Sequence, residues 1–553
     1  MPLYLLQMKI ALAQLNYHVG NIEFNTQKIL GVLTEARSQG ADVVVFAELA
    51  ICGYPPKDLL DYTSFISECE AAAQRIAAAC TDIACIVGLP TVNPQVKGKN
   101  LYNSAYFISD GMVKVQVNKA LLPNYDVFDE YRYFEPAKHS TCISFKGTKI
   151  ALTICEDLWN VNNDPMYVAE PMDWLNKENP DVMINIAASP FSYNHYEDRI
   201  QILGDNCRKY NLPLFYVNQI GAQTELIFDG ESIVFNEKGE VLDQLAAFSE
   251  ELKIYEFSQN KIQGLAPKTE NPETDVAQIY QALTLGIRDY FQKSGFKKAT
   301  LGLSGGIDSA VVCALAVEAL GSENVLAVLL PSEYSSEHSI ADAEALVHNL
   351  GCEQLTVPIK QATEAFDTML KPAFKDLPFN LTEENIQSRS RAVVLMALSN
   401  KFGYILLNTS NKSECAVGYG TLYGDMAGAI SVLGDVYKTQ VYQLANYINR
   451  NKEIIPQNSI VKPPSAELRP GQKDSDSLPE YDVLDKLLFQ FIEQKQSPAE
   501  LIAQGFDELL VNSILKLVNQ AEFKRYQTPP ILRVSPKAFG PGRRMPIVGK
   551  YLT

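Results

Sequence analysis

Two periods alternate in the distribution of apolar residues along the chain. Apolar-rich runs recur at Met8–Leu15, Asp42–Phe46, Ile83–Val87, Lys149–Ile154, Val182–Ile186 and Leu214–Val217. Such runs predict strands buried on both faces. Between the first of them, apolar residues fall at helical spacing, with Ile29, Val32, Leu33 and Ala36 on one face of Phe24–Gln39 and a second helical stretch around Ala71–Ala79. Two extended segments, Asn103–Ser109 and Met112–Val117, flank Asp110-Gly111, a hairpin signal. In the second half Asp275 is placed to cap a helix whose face carries Val276, Ile279, Tyr280, Leu283, Ile287, Tyr290 and Phe291. Strands are predicted at Ala299–Leu303, Val325–Leu330 and Tyr404–Leu407, with helices at Ala310–Leu320 and His338–Leu350. Alternating strands and helices with short connections predict a doubly wound parallel sheet. A polar stretch with two prolines, Gly264 to Thr274, separates the halves and reads as a linker. The expected division is residues 1–265, a linker at 266–274, and residues 275–553.

Composition narrows the class. A chain of 553 residues is long enough for two domains with their own cores, and 46% hydrophobic with 20% charged residues describes an ordinary soluble globular protein. A net charge of −17 argues against a nucleic-acid-binding surface, which needs clustered Lys and Arg. The ten cysteines form no Cys-x-x-Cys pair and the five histidines are scattered, which fits free thiols in a reducing cytoplasm. No apolar run reaches membrane-spanning length. Met1 to Gln7 has neither the basic start nor the cleavage site of a signal peptide, so Met8 reads as the functional start and the first seven residues as dispensable.

The strongest chemical signal is Ser304-Gly305-Gly306-Ile307-Asp308-Ser309, set between a strand and an apolar helix. A strand turning through two glycines into a helix presents a row of backbone N–H groups at the positive end of that helix, a geometry that binds phosphate oxygens. Ser304 and Ser309 add hydroxyls, and Asp308 adds a carboxylate able to hold Mg²⁺ beside phosphates. No Walker A sequence occurs, and Gly418-x-Gly420-x-x-x-Gly424 is too long for a dinucleotide fingerprint. The loop resembles the pyrophosphate loop of the N-type ATP pyrophosphatases, which adenylate a carboxyl or carbonyl oxygen.

In the first half, three chemically capable residues sit just beyond strand ends: Glu48, Lys119 and Cys155. A thiol near its usual pKa needs a base, which Glu48 can supply. A lysine beside it would lower the thiol pKa and hold the oxyanion of a tetrahedral intermediate. No histidine stands at these strand ends. The segments Phe46-Ala47-Glu48-Leu49 with Gly53-Tyr54-Pro55-Pro56, Asn118-Lys119-Ala120-Leu121-Leu122-Pro123 leading to Phe128-Asp129-Glu130, and Ile154-Cys155-Glu156-Asp157-Leu158-Trp159 resemble the nitrilase, or carbon–nitrogen hydrolase, superfamily. The resemblance implies an α-β-β-α sandwich and an amidase acting through a thioester on Cys155. It also implies that Tyr125, Ser189 and His195 bind glutamine. Cys52, Cys69, Cys80, Cys85, Cys142 and Cys207 read as structural.

Further segments of the second half resemble the NAD synthetase family: Thr409-Ser410-Asn411-Lys412-Ser413-Glu414, Glu384 to Arg389, Tyr423-Gly424-Asp425, Asp435 to Thr439, Pro464-Ser465-Ala466-Glu467-Leu468, Lys524-Arg525 and the basic Phe539 to Ile547. The fold implied there is a Rossmann-like ATP-pyrophosphatase domain. By the same resemblance Gly302, Leu303, Ser304, Gly305, Gly306, Ile307, Asp308, Ser309, Thr409, Lys438 and Ser465 bind ATP. Asn385, Glu414 and Lys524 are implied to bind deamido-NAD, and Asp308 and Glu414 to ligate Mg²⁺. Pro331 to His338 reads as a mobile loop over the ATP site. Together the resemblances imply a glutaminase fused to an NAD synthetase, a homo-oligomer with an enclosed ammonia passage between its centres. The alternative is another pyrophosphate-loop amidotransferase acting on a different carboxylate or carbonyl acceptor.

Overall fold

The computed structural model describes residues 7–95, 97–161, 165–268 and 273–551. Residues 1–6, within the stretch read above as dispensable, and 269–272, within the expected linker, lie outside the described residues. The chain forms two compact units, Met1–Pro272 and Glu273–Thr553.

The first unit runs β1 (Gln7–Gln14), α1 (Ile22–Ser38), β2 (Val43–Val45), α2 (Thr63–Ala79), β3 (Ala84–Val92), β4 (Leu101–Ser109), β5 (Met112–Asn118), β6 (Ile143–Phe145), β7 (Thr148–Ile154), α3 (Pro171–Asn176), β8 (Val182–Ala187), α4 (His195–Tyr210) and β9 (Leu214–Asn218). It continues through β10 (Ile220–Gln223), β11 (Leu226–Asp229), β12 (Ile233–Phe235), β13 (Val241–Gln244), β14 (Glu251–Ser258) and β15 (Lys261–Ile262). Among the described residues the larger sheet has the order β15-β14-β1-β2-β3-β4-β5, and the second β13-β12-β9-β8-β7-β6. Side chains that alternate along a strand supply both faces of the first sheet. Met8, Ile10, Leu12, Val43, Val45 and Ile86 join Ile150, Leu152 and Ile154 in a core between the sheets. Ala11, Ala13, Val44, Cys85 and Val87 pack instead against Ile29 and Leu33 of α1 and Ala73 and Ile76 of α2. Met172 and Leu175 of α3, with Leu203 and Cys207 of α4, cover the second sheet. The layers are thus α-β-β-α. The β4–β5 hairpin turns at Asp110 and Gly111, both with positive φ (50° and 76°), as a two-residue turn requires.

The second unit opens with α5 (Asp275–Ser294), β16 (Ala299–Gly302), α6 (Ile307–Leu320), β17 (Val325–Leu329), α7 (Glu337–Leu350), β18 (Glu353–Thr356), α8 (Lys360–Phe374), α9 (Leu381–Phe402) and β19 (Ile405–Asn408). It continues through α10 (Lys412–Val417), β20 (Ile430–Ser431), α11 (Lys438–Ile448), α12 (Gln457–Val461), α13 (Tyr481–Ile492), α14 (Pro498–Ala503), α15 (Glu508–Gln520) and α16 (Glu522–Arg525). The sheet order is β18-β17-β16-β19-β20, all parallel. The chain winds outward from β16 to β18 and then returns to β19 on the other side. That reversal opens a crevice at the carboxyl ends of β16 and β19, where such folds bind ligands.

Two local expectations change. Thr274, not Asp275, is the N-cap of α5, and Asp275 is its first helical residue, where a carboxylate still favours the positive helix end. The helix after the phosphate loop begins at Ile307 and not Ala310, because the extended Gly306 is its N-cap and buried Ile307 anchors its first turn. Half of the loop is therefore helical, which aims successive N–H groups into the crevice.

Candidate functional site

In the first unit, strand ends deliver the expected residues to one buried cluster. Glu48 follows β2, Lys119 follows β5, and Cys155 follows β7. The Lys119 Nζ lies 2.7 Å from Glu48 Oε1 and 2.8 Å from Glu130 Oε1, with the lysine and Glu48 side chains fully buried. Asn103 Nδ2 donates to Glu48 Oε1 (2.6 Å) and Glu130 Oε2 (3.3 Å), Tyr54 donates to Glu130 Oε1 (2.9 Å), and the Ala188 N–H donates to Glu48 Oε2 (3.1 Å). Gly88 of β3 makes room for this segment: a Cβ there would lie 2.3 Å from Leu49 N and 2.7 Å from Ala47 O. Burial works against the Lys119 ammonium, but Glu130 and Glu48 outweigh it and hold its pKa well above the ordinary lysine range. Burial pushes the Glu130 carboxyl up to about 7, with Lys119 opposing and Glu48 reinforcing.

In the sequence Glu130 stands only as a flank of the lysine segment. It sits in a short 3₁₀ turn, Glu130–Arg132, without periodicity to mark it. Its one sequence signal is its place in that segment.

Cys155 is 6% exposed and opens a 3₁₀ turn directly after β7 with φ 42°, a left-handed backbone that a non-glycine residue adopts only under strain. Burial drives its thiol well above the usual range and the Glu48 charge adds to this, whereas Lys119 pulls the other way. The expected lowering by lysine is therefore present but outweighed, and the resting group is a neutral thiol. Tyr125 donates to Glu156, the residue after the thiol, at 3.0 Å, and Tyr167 joins it at 2.9 Å. Ser189, beyond β8, has its Oγ 3.3 Å from His195 Nε2, and the imidazole stacks on Trp159 at 5.0 Å. Tyr125 and the Ser189–His195 pair thus meet the Cys155 turn through Glu156 and Trp159.

In the second unit the crevice is a cavity of about 560 Å³ lined by Gly302 to Ser304, Gly306 to Ser309, Thr409, Glu414, Lys438 and Ser465. Gly305 (φ 80°) lies against α7, where a Cβ would stand 2.1 Å from Ser339 O. Asp308 Oδ1 accepts from Asn411 Nδ2 at 2.9 Å, and Asp308 Oδ2 pairs with Lys438. Lys438 Nζ also lies 3.8 Å from Glu414 Oε1. Burial, and then the charge of Asp308, raise the Glu414 pKa well above the ordinary range. Burial opposes the Lys438 ammonium, but Asp308 and Glu414 raise its pKa. Two carboxylates sharing one ammonium beside a phosphate loop fit Mg²⁺, which takes one or two carboxylates and completes its shell with water and substrate phosphates. Among the described residues no three His, Cys, Asp or Glu side chains form a metal cage.

Other expected residues lie elsewhere. Asn385 accepts from Thr421 Oγ1 (2.7 Å), and Lys524 Nζ donates to Gly418 O (2.7 Å) and Gly420 O (2.8 Å); neither lines the cavity. Arg543 of the basic C-terminal run is paired with Glu522 at 2.7 Å. Lys412 is a buried hub between Glu493 (2.7 Å) and Asp435 (2.9 Å), which fixes α10. Within Pro331 to His338, Ser336 Oγ donates to Glu467 Oε1 at 2.8 Å, tying the start of α7 to the segment that carries Ser465. A cavity residue that the sequence did not single out is Arg391 of α9, its pKa pushed down to about 10 by burial. Its Nε donates to Leu330 O at 3.0 Å. Its signal in the sequence is faint, since it closes the polar first half of α9 with another arginine, Arg389, two residues before it.

The carbon–nitrogen hydrolase family model matches residues 9–267, and the NAD synthase model matches residues 279–528. A glutamine-dependent NAD(+) synthetase of Synechocystis sp. is 47% identical over 98% of this chain and 99% of its own length. One from Thermotoga maritima is 39% identical over 99% of each. Among solved structures, glutamine-dependent NAD+ synthetase from Acinetobacter baumannii, in complex with ADP, has a TM-score of 0.78 at 40% identity over 98% of both chains. The enzyme from Cytophaga hutchinsonii, at 22% identity over 98% of both chains, shares the fold with a TM-score of 0.82. No helix among the described residues is long and apolar enough to cross a membrane. With relatives of this identity over nearly the full length, and both family models matched in order, the chain belongs to the glutamine-dependent NAD(+) synthetases.

Proposed function

We propose that the protein converts deamido-NAD, ATP and glutamine into NAD, AMP, pyrophosphate and glutamate. The observation that carries this reading is the presence, in one chain, of a buried Glu48–Lys119 pair near a thiol and of the Asp308–Lys438–Glu414 cluster at a phosphate loop. At the first centre Glu48 takes the thiol proton as Cys155 Sγ attacks the glutamine side-chain carbonyl. Lys119 donates to the oxyanion, and ammonia leaves with the proton returned by Glu48. Water then adds to the thioester, losing a proton to Glu48; the C–S bond breaks, Glu48 returns the proton to the Cys155 thiolate, and glutamate departs. Tyr125, Ser189 and His195 hold the glutamine. At the second centre the deamido-NAD carboxylate displaces pyrophosphate from ATP, and ammonia then displaces AMP from the acyl adenylate. The N–H groups of the Ser304–Ser309 loop and the Lys438 ammonium hold the departing phosphates. Thr409 and Ser465 contact ATP; Asn385, Glu414 and Lys524 serve the acceptor. Mg²⁺, held by Asp308 and Glu414, neutralises phosphate charge when bound.

Ammonium in bulk water is not nucleophilic, so ammonia passes between the centres without release. The unpaired cysteines suit a cytoplasmic location. An α8 that buries none of its residues and exposes Phe366 and Met369 suits a homo-oligomer. The test is NAD formation from deamido-NAD, ATP and Mg²⁺ with glutamine or ammonium as nitrogen donor. Both donors are expected to work; failure of both would mean a different acceptor.

Glu130 gives the first centre a pH dependence. Its carboxyl, raised by burial, loses its proton as pH rises through about 7. Ionisation places a carboxylate charge 2.8 Å from the Lys119 ammonium and holds that lysine in the charged form that donates to the oxyanion. The kcat/KM for glutamine is therefore expected to rise across that range, and Glu130→Gln to remove the rise and leave a lower, flatter profile. An unmutated profile flat from pH 6 to 8, an interval centred on about 7, would contradict this role.

A further inference from the structure

Asp157 lies two residues beyond the nucleophile and is 5% exposed. Among the described residues its hydrogen bonds come from backbone alone. Its Oδ1 accepts from the N–H groups of Ala120 (3.0 Å) and Leu121 (2.9 Å), and its Oδ2 from that of Ile154 (3.1 Å). Ala120 directly follows Lys119, and Ile154 directly precedes Cys155. One carboxylate thus joins the backbone that carries the oxyanion lysine to the backbone that carries the thiol, just beyond the ends of β5 and β7, which belong to different sheets. We propose that Asp157 is a positioning residue for amide cleavage, fixing the spacing between the Cys155 turn and the Lys119 segment. The proposal rests on the assignment of Cys155 as the glutaminase nucleophile.

The chemistry of the contacts supports a positioning role. Hydrogen bonds to an ionised acceptor are stronger and shorter than neutral ones, so a carboxylate clamps both segments more firmly than an amide. Cys155 holds a strained positive φ, which persists only where its surroundings over-determine it. From the other side Asn185 Nδ2 donates to Cys155 O at 3.3 Å, so the backbone is held on both sides of the Cys155 Cα. The three hydrogen bonds that Asp157 accepts all come from main chain.

Asp157→Asn tests this. An asparagine oxygen can satisfy one end of the clamp, but its NH₂ group then meets a backbone N–H at the other. The expected result is a fall in kcat for glutamine-supported NAD formation of roughly 100-fold, the scale on which small misplacements act. The KM for glutamine should stay within about threefold, because ground-state binding is untouched. Ammonium-supported synthesis, which uses the second unit, should be unchanged and reports that the chain is folded. An unchanged kcat, or a raised KM with kcat retained, would overturn the proposal. Loss of both donor activities would also overturn it, since Asp157 would then be needed only for folding. If the unmutated protein forms NAD with ammonium but not with glutamine, the glutaminase reading itself fails and takes the proposal with it.

Discussion

Replacing Cys155 with alanine is expected to abolish NAD formation from glutamine while leaving synthesis from ammonium at the unmutated rate. Removing a nucleophile that acts together with its base and oxyanion donor costs on the order of 10⁴-fold or more. The loss is chemical, not structural. Alanine keeps the Cβ, carries the same positive-φ strain as cysteine, and removes a single buried sulfur. The Lys119 pairs with Glu48 and Glu130 make no use of the thiol and survive. Cys52 offers no substitute: burial, and then Cys69 beside it, hold its thiol well above the usual range. Its Sγ donates to Leu49 O (3.6 Å) and Gly53 O (3.4 Å), so it is turned into the main chain. Steady-state NAD formation with each donor decides the matter. If Cys155→Ala still uses glutamine, another group forms the acyl intermediate.

Why Cys155, Lys119 and Glu48 were legible and Glu130 was not follows from where each sits. The first three end apolar strands, whose aliphatic runs announce themselves, and strand ends are where layered folds collect chemistry. Glu130 stands in an irregular segment, and only the folded chain brings its carboxylate to within 2.8 Å of Lys119. The same logic governs the fold. Buried strands such as β7 and β8 were readable from composition alone, whereas β18, exposed at every position, carries no apolar signal. The strand β14 mixes polar and apolar residues on both faces and pairs antiparallel with β1, more than two hundred residues away in sequence (Gln7 opposite Ser258). Local pattern cannot report such a partner. The turn at Ser304–Ser309 was legible because its shape is written in its own backbone, with glycines between a strand and a helix. Arg391 needed the sheet, α9 and the loop to be in place before it lined anything. In the opposite direction, Lys524 has its ammonium on two carbonyls, a position that charge and family pattern do not foretell.

Asp308→Asn is expected to stop synthesis with either donor, which separates it from the loss at Cys155. Asp308 joins three groups: it accepts from Asn411, pairs with Lys438, and raises the pKa of Glu414 after burial does. An asparagine keeps the first contact only by turning its NH₂ toward the Lys438 ammonium. Lys438, 2% exposed, then has Glu414 at 3.8 Å as its remaining carboxylate partner. Breaking a buried pair from one side costs about 3–5 kcal/mol, mostly from the charge left behind. The cluster has a way to relieve that cost. Without the Asp308 charge, the Glu414 pKa falls back toward the ordinary range, Glu414 ionises more readily, and it draws Lys438 to itself. That rearrangement removes one carboxylate from Mg²⁺ and engages the other, so the metal loses both proposed ligands to a one-charge change. Loss of transition-state charge stabilisation of this kind is worth about 10²–10³-fold in kcat. Pyrophosphate release, followed against Mg²⁺ concentration with ammonium as donor, is the measurement. The variant should need far more Mg²⁺ and remain slow at saturation. If it instead turns over within a few-fold of the unmutated protein at the same Mg²⁺, Asp308 serves only to hold Asn411 and Lys438, and the metal is bound by substrate phosphates without it.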